Sequence, residues 1–147
     1  MKTENKFIVH TDGGARGNPG PAAIGVVIEG SSVGKKEYGE YIGEATNNEA
    51  EYKAVIFALK KLKHLIGSAE SKTSAVEVFL DSELIERQLN GEYKIKEKNL
   101  QNYFVEVWNL KSDFGSVSFR HVRREENTDA DRIVNQVLDR EGSKLSL

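Results

Sequence analysis

The chain contains no cysteine. That excludes a disulfide framework and cysteine-ligated zinc, and it agrees with a reducing compartment. There are only two prolines, both in the stretch GNPGP at 17–21, and nothing resembles a linker, a repeat or a low-complexity segment. No apolar run approaches the roughly 20 residues of a membrane span. The first ten residues, MKTENKFIVH, also lack the apolar stretch of a signal peptide. A cytoplasmic monomer with no membrane contact is expected. Neither sign of charge dominates: 21 Lys and Arg stand against 23 Asp and Glu, a formal net charge of −2. Net charge therefore does not advertise a nucleic-acid partner, and any basic surface must be local. What is present is 38% hydrophobic and 30% charged residues in 147, which suits one globular domain spanning 1–147. Its core is expected at about 7–140, followed by a short flexible C-terminal tail, SKLSL.

Residues 7–12 alternate, with Phe7, Val9 and Thr11 on one side and Ile8, His10 and Asp12 on the other, the pattern of a strand ending on an aspartate. AAIGVVIEG (22–30) reads as a second strand and KKEYGEYIGEA (35–45) as a third, more polar one. Their short glycine-containing connections predict an antiparallel meander. A helix follows, N-capped by Thr46 or Asn47, with Ala54, Val55, Ala58, Leu59, Leu62, Leu65 and Ile66 on its apolar face and Gly67 as its stop. Beyond it come a strand (75–82), a short helix (82–91) and a helix over 99–115 with Tyr103 or Phe104, Val107, Trp108 and Leu110 as core candidates. A fifth strand (116–122) and a last helix (127–142), with Ile133, Val134, Val137 and Leu138 inward, complete the chain. The order β-β-β-α-β-α-α-β-α predicts an α/β fold: a mixed five-stranded sheet, three antiparallel strands and then parallel ones, with helices on both faces.

Four acids stand where apolar residues or caps would be expected. Asp12 and Asp81 end apolar strands, where an unsatisfied carboxylate is costly to desolvate, although Asp81 also fits the N-cap of the helix after it. Glu51 lies on the apolar face of the first helix, four residues before Val55, whereas Glu49 lies off it and merely complements the helix dipole. Asp131 shares a face with Val134 and Leu138, and Asp129 reads as a first-turn acid. Two strand ends and two helix starts can converge at one edge of an α/β sheet. Four carboxylates there would repel unless cations compensate, and oxygen-only ligands favour Mg²⁺ or Mn²⁺. Two such ions about 4 Å apart are a standard device for phosphodiester hydrolysis.

TDGGARGNPG, TNNEAEYKA, LDSELI and HVRREENTDADRIVNQ resemble, in order and spacing, the motifs of type 1 ribonuclease H over roughly residues 7–140. The resemblance implies the ribonuclease H-like fold and Mg²⁺-dependent endonucleolytic cleavage of the RNA strand of RNA/DNA hybrids, leaving 3′-hydroxyl and 5′-phosphate ends. The family's four carboxylates fall on Asp12, Glu51, Asp81 and Asp131, with Asp12 bridging two Mg²⁺ ions and Mn²⁺ as a substitute. Asn18, Asn47 and Asn48 match positions that contact the hybrid near the minor groove, and Thr46 matches one that binds a DNA-strand phosphate. Gly13, after the first aspartate, is expected to let backbone and substrate approach closely. Two departures mark a handle-less, archaeal-like subset. Arg124 occupies the loop where better-known members carry a histidine; it is expected near the scissile phosphate, or else paired with Glu125 or Glu126. His121 is read as structural, at a core or rim position. The basic handle is reduced to GEYKIKEKNLQ, with Lys94, Lys96 and Lys98, so binding is expected to be weaker and salt-dependent and to admit some double-stranded RNA. A non-catalytic nucleic-acid-binding module, and a resolvase or integrase core of the same fold, are the competing readings.

Overall fold

The computed structural model describes residues 5–145. Strands β1 (Asn5–Ala15), β2 (Gly20–Gly30), β3 (Gly34–Ala45), β4 (Ser74–Leu80) and β5 (Ser116–His121) form one sheet in the order β3-β2-β1-β4-β5. β1–β2 and β2–β3 pair antiparallel, while β1–β4 and β4–β5 pair parallel. The expected mixed sheet is therefore present, and β1 is its central strand.

The helices are α1 (Asn47–Lys72), α2 (Glu83–Leu89), α3 (Lys98–Lys111) and α4 (Thr128–Leu145). α1 covers one face, with Val55, Leu59 and Leu62 buried against Phe7, Val9, Val26, Ile28, Val76 and Val78. α4 covers the other, with Ile133, Val134, Val137 and Leu138 against Ala23 and Val27. β2 is sandwiched between the two layers, so Ala22–Ile28 is buried without alternation. β3 is a sheet edge and mostly exposed, which accounts for its polar sequence. Glycine sets how closely α4 can approach: a Cβ at Gly25 would overlap the Ala130 carbonyl, and one at Gly39 would press on Ile133 and Val137.

Several expectations need correction. β1 does not end at Asp12. It runs three residues further because β2 remains its partner after β4 has stopped, as far as Ala15↔Ala22. α1 breaks its helical geometry at Gly67 (φ 82°), as expected, but the chain resumes helical turns to Lys72. Trp108 is not core: it is 59% exposed. α3 packs chiefly on α1 rather than on the sheet, so only a narrow stripe, Leu100 and Val107, is fully buried. Tyr103, Phe104 and Leu110 are partly buried around that stripe, and Trp108 stacks on Phe104 from outside. His121 ends β5 and is exposed, so it is not a core residue. Ser143 to Leu145, expected to be loose, continue α4, and the rest of that tail, 146–147, lies outside the described residues. Among the described residues no helix is long and apolar enough to cross a membrane.

Candidate active site

The parallel pairing of β1 with β4 ends at Thr11↔Leu80. Asp12 is the next residue of β1 and Asp81 the first residue beyond β4, so both stand where the two strands part. Beyond this point β1 stays with β2, through Asp12↔Gly25, while β4 turns into α2. The N-cap of α2 is Ser82, whose Oγ accepts from the Ile85 amide at 3.2 Å. Asp81 is therefore not spent on capping.

Glu51 arrives from α1. Thr46 starts that helix with a reciprocal capping box: its Oγ1 accepts from Glu49 N at 3.1 Å, and its own N–H donates to Glu49 Oε1 at 2.9 Å. The start of α1 can press on β1 only because residue 13 is glycine. A Cβ there would overlap the Ala50 carbonyl and the Glu51 amide nitrogen. The space that glycine leaves is thus filled by α1 itself. The Gly13 N–H donates to both Asp12 Oδ1 and Glu51 Oε1, each at 3.0 Å.

One oxygen from each of Asp12, Glu51 and Asp81 lies within 4.8 Å of the others. Asp12 is 7% and Glu51 6% exposed, and Glu51 Oε2 is buried without a hydrogen-bond partner. Burial, then the charge of Asp81, then that of Asp131 push the Asp12 carboxyl up to about 7, against the opposing effect of a hydrogen bond with Glu51. Glu51 is held well above the usual carboxylate range by burial and by the negative charge of Asp12. The site thus holds more negative charge than its surroundings compensate, and it is built from hard oxygen donors suited to a divalent cation.

This sets a pH dependence. A carboxyl raised in the folded state stabilises the fold below its unfolded value, and that contribution is lost as pH rises through the folded value. For Asp12 the window is about pH 4–7. His10 is lowered by burial and changes in the opposite sense below 6.5, so the clean quantity is a difference between variants. In metal-free buffer, Asp12→Asn is expected to gain stability over the unsubstituted protein progressively from pH 5 to pH 8, by roughly 1–3 kcal/mol. Urea unfolding at each pH checks this; a gap that narrows with pH would contradict it.

Asp131, in the first turn of α4, lines the same open cleft of about 450 Å³ as Asp12, Glu51 and Asp81, but stands outside their 4.8 Å group. Arg124, in a 3-10 turn at Arg124–Glu126, is exposed on this cleft and pairs with no carboxylate among the described residues. Glu126 instead accepts from the Arg123 amide at 3.4 Å. Gly13, Asn47 and Asn48 also line the cleft, whereas Asn18 and Thr46 do not; Asn18 is tied to Asn47, and Thr46 is the N-cap just before it. Asn18 Oδ1 accepts from the Asn47 amide, and Asn47 Oδ1 accepts from the Ala15 amide, both at 2.9 Å. These carboxamide oxygens are committed to joining the β1–β2 turn to the start of α1, which leaves their NH₂ groups as donors.

One residue that sequence reasoning passed over is Asn127. It is 1% exposed, and its Nδ2 donates to the Thr11 carbonyl at 2.9 Å and to Asp81 Oδ2 at 3.3 Å. In the sequence it looks like an ordinary residue at the start of a helix. Its partners are 116 and 46 positions away, so no local pattern points to it.

A sheet of this order, with acids from two parting central strands and two flanking helices, defines a ribonuclease H-like domain with a carboxylate site. Comparisons agree. The profile of the reverse transcriptase-like family matches residues 10–137. Ribonuclease HI of Halobacterium salinarum is 40% identical over 129 residues, covering 87% of this chain and 62% of its own length. LC11-RNase H1, isolated from compost by a metagenomic approach and crystallised with an RNA/DNA hybrid, superimposes with a TM-score of 0.85 at 45% identity, covering 92% of this chain and 98% of its own. The N-terminal RNase H domain of Rv2228c from Mycobacterium tuberculosis gives a TM-score of 0.85 at 34% identity, covering 96% and 99%. The chain belongs to the type 1 ribonuclease H family. It spans 36% of the length of the full mycobacterial bifunctional protein.

Proposed function

We propose that this chain hydrolyses the RNA strand of RNA/DNA hybrids endonucleolytically, leaving 3′-hydroxyl and 5′-phosphate ends. The observation that carries the proposal is the Asp12–Glu51–Asp81 cluster, in which a buried Glu51 oxygen has no protein partner. That orphaned oxygen, the raised Asp12 carboxyl and the all-oxygen donor set fit a bound divalent metal. Two Mg²⁺ ions, replaceable by Mn²⁺, would be held by Asp12, Glu51, Asp81 and Asp131 and would supply the positive charge for activating water and stabilising the leaving oxygen. We assign the shared position to Asp12 on its resemblance to the family's first aspartate, since the 4.8 Å spacing is common to Asp12, Glu51 and Asp81. The Gly13 N–H holds Asp12 and Glu51 in a common orientation.

The NH₂ groups of Asn18, Asn47 and Asn48 would donate to the minor-groove side of a hybrid, where 2′-hydroxyls distinguish RNA from DNA. The Thr46 oxygen accepts from Glu49 N, which leaves its O–H to donate to a DNA-strand phosphate. Arg124, unpaired at the mouth of the cleft, is assigned to the scissile phosphate. The related LC11-RNase H1 has been crystallised with an RNA/DNA hybrid, which supports the same substrate here. The segment between α2 and α3 carries the exposed Lys94 and Lys96 on a short loop, consistent with weak, salt-sensitive binding.

The test is a panel of end-labelled RNA/DNA hybrid, RNA duplex and DNA duplex in Mg²⁺. The hybrid is expected to be cut fastest, in the RNA strand only, with RNA duplex cut slowly or not at all. Equal cutting of DNA duplex would favour the resolvase or integrase reading. Arg124→Ala is expected to lower kcat at least about tenfold with little change in KM, as for loss of a donor that acts in the transition state. An unchanged kcat would return Arg124 to the surface.

A further inference from the structure

We infer that Asn127 is a positioning residue that sets the acidic cluster for metal binding, acting through Asp81. This rests on the reading of the four acids as metal ligands. Three contacts converge on Asn127. Its Nδ2 reaches the carbonyl of Thr11, the residue before Asp12, at 2.9 Å. The same nitrogen reaches Asp81 Oδ2 at 3.3 Å. Its backbone carbonyl accepts from the Asp131 amide at 3.1 Å. One residue therefore ties the ends of β1 and β4 to the first turn of α4, which are three of the four elements that deliver the acids.

The chemistry selects a carboxamide. Both side-chain partners, a carbonyl and a carboxylate, are acceptors, so the group between them must present two N–H donors. Aspartate would add a fourth charge among Asp12, Glu51 and Asp81, and an aliphatic residue would leave Thr11 O and Asp81 Oδ2 without this donor. The arrangement has an energetic penalty: Asn127 Oδ1 is buried without a hydrogen-bond partner, an unfavourable state for a polar atom. A residue serving only to pack α4 would not require that penalty. It is consistent with a side chain selected for what its NH₂ end orients. A donor on Asp81 Oδ2 also fixes which oxygen of that carboxylate faces Asp12 and Glu51, as outer partners of metal ligands commonly do.

The test is direct Mn²⁺ binding, by electron paramagnetic resonance, to the full chain without substrate. The four proteins are the unsubstituted chain, Asn127→Ala, Asp81→Ala and the double variant, with circular dichroism establishing that each is folded. Asn127→Ala is expected to weaken Mn²⁺ binding about tenfold or more. In the Asp81→Ala background the same change is expected to alter binding by no more than about twofold, because the group through which Asn127 acts is gone. If Asn127→Ala does not fold, Asn127→Ser replaces it: its hydroxyl keeps some polarity but is too short to reach Asp81, and the same loss is expected. Raising Mg²⁺ is expected to restore cleavage by the Asn127 variant with KM for hybrid unchanged. Wild-type affinity in the Asn127 variants, or an equal loss in both backgrounds, overturns the assignment and leaves the proposed function standing. Failure of the unsubstituted chain to bind Mn²⁺ overturns both.

Discussion

Asp12→Asn is expected to lower hybrid cleavage by at least about a thousandfold, because the position shared between the other acids loses its charge and with it several kcal/mol of transition-state stabilisation. The substitution keeps the size of the side chain and an oxygen to accept from Gly13 N, now 3.0 Å from Asp12 Oδ1, so the fold should survive. It should also become more stable in metal-free buffer at pH 8. The Asp12 carboxyl, pushed up to about 7 by burial and by Asp81, no longer has to ionise inside the cluster. Loss of activity together with a gain in stability separates a functional acid from a structural one. A structural aspartate would lose both. Parallel measurement of cleavage rate and thermal midpoint decides between them; retained cleavage, or a lowered midpoint at pH 8, would contradict the assignment.

Gly13→Ala is expected to have the second largest effect. The added methyl meets the Ala50 carbonyl and the Glu51 nitrogen, which are backbone atoms of α1 and cannot rotate aside. The start of α1 has to move, at about 2–3 kcal/mol, or roughly 5–10 °C in Tm. Glu51 moves with it, and a displacement of about 1 Å at a catalytic group costs on the order of a hundredfold in rate. Gly14→Ala is the control. Its Cβ would meet only Val134 Cγ1 at 3.6 Å, an ordinary contact, so both Tm and rate should change little. Equal tolerance at 13 and 14 would show that the close approach of α1 does not set the position of Glu51.

The four acids were legible because each breaks a pattern that local chemistry makes strict. Asp12 and Asp81 interrupt apolar strands, and Glu51 and Asp131 occupy helix positions otherwise filled by core residues. The sheet was legible because its strands differ in burial: β2 is apolar and buried over Ala22–Ile28, β3 is polar, and β1 alternates up to Thr11. What stayed hidden depends on distant partners. Trp108 reads as core by spacing, yet α3 rests on α1 through a narrow stripe that leaves it outside. Gly25 reads as one more strand residue, although a Cβ there would overlap the Ala130 carbonyl of α4. Asn127 reads as a helix start, and its meaning lies in Thr11 and Asp81, which only the folded chain brings to it.

Our assignment of these acids is to a divalent-metal site that cuts RNA paired to DNA. It is tested most directly by following cleavage of a hybrid labelled in its RNA strand as Mg²⁺ is titrated into chelator-treated protein. No cleavage is expected in chelator, and cleavage is expected to rise and saturate with Mg²⁺, and likewise with Mn²⁺. Cleavage that persists in chelator, or a hybrid left intact at saturating Mg²⁺ and Mn²⁺, would contradict it.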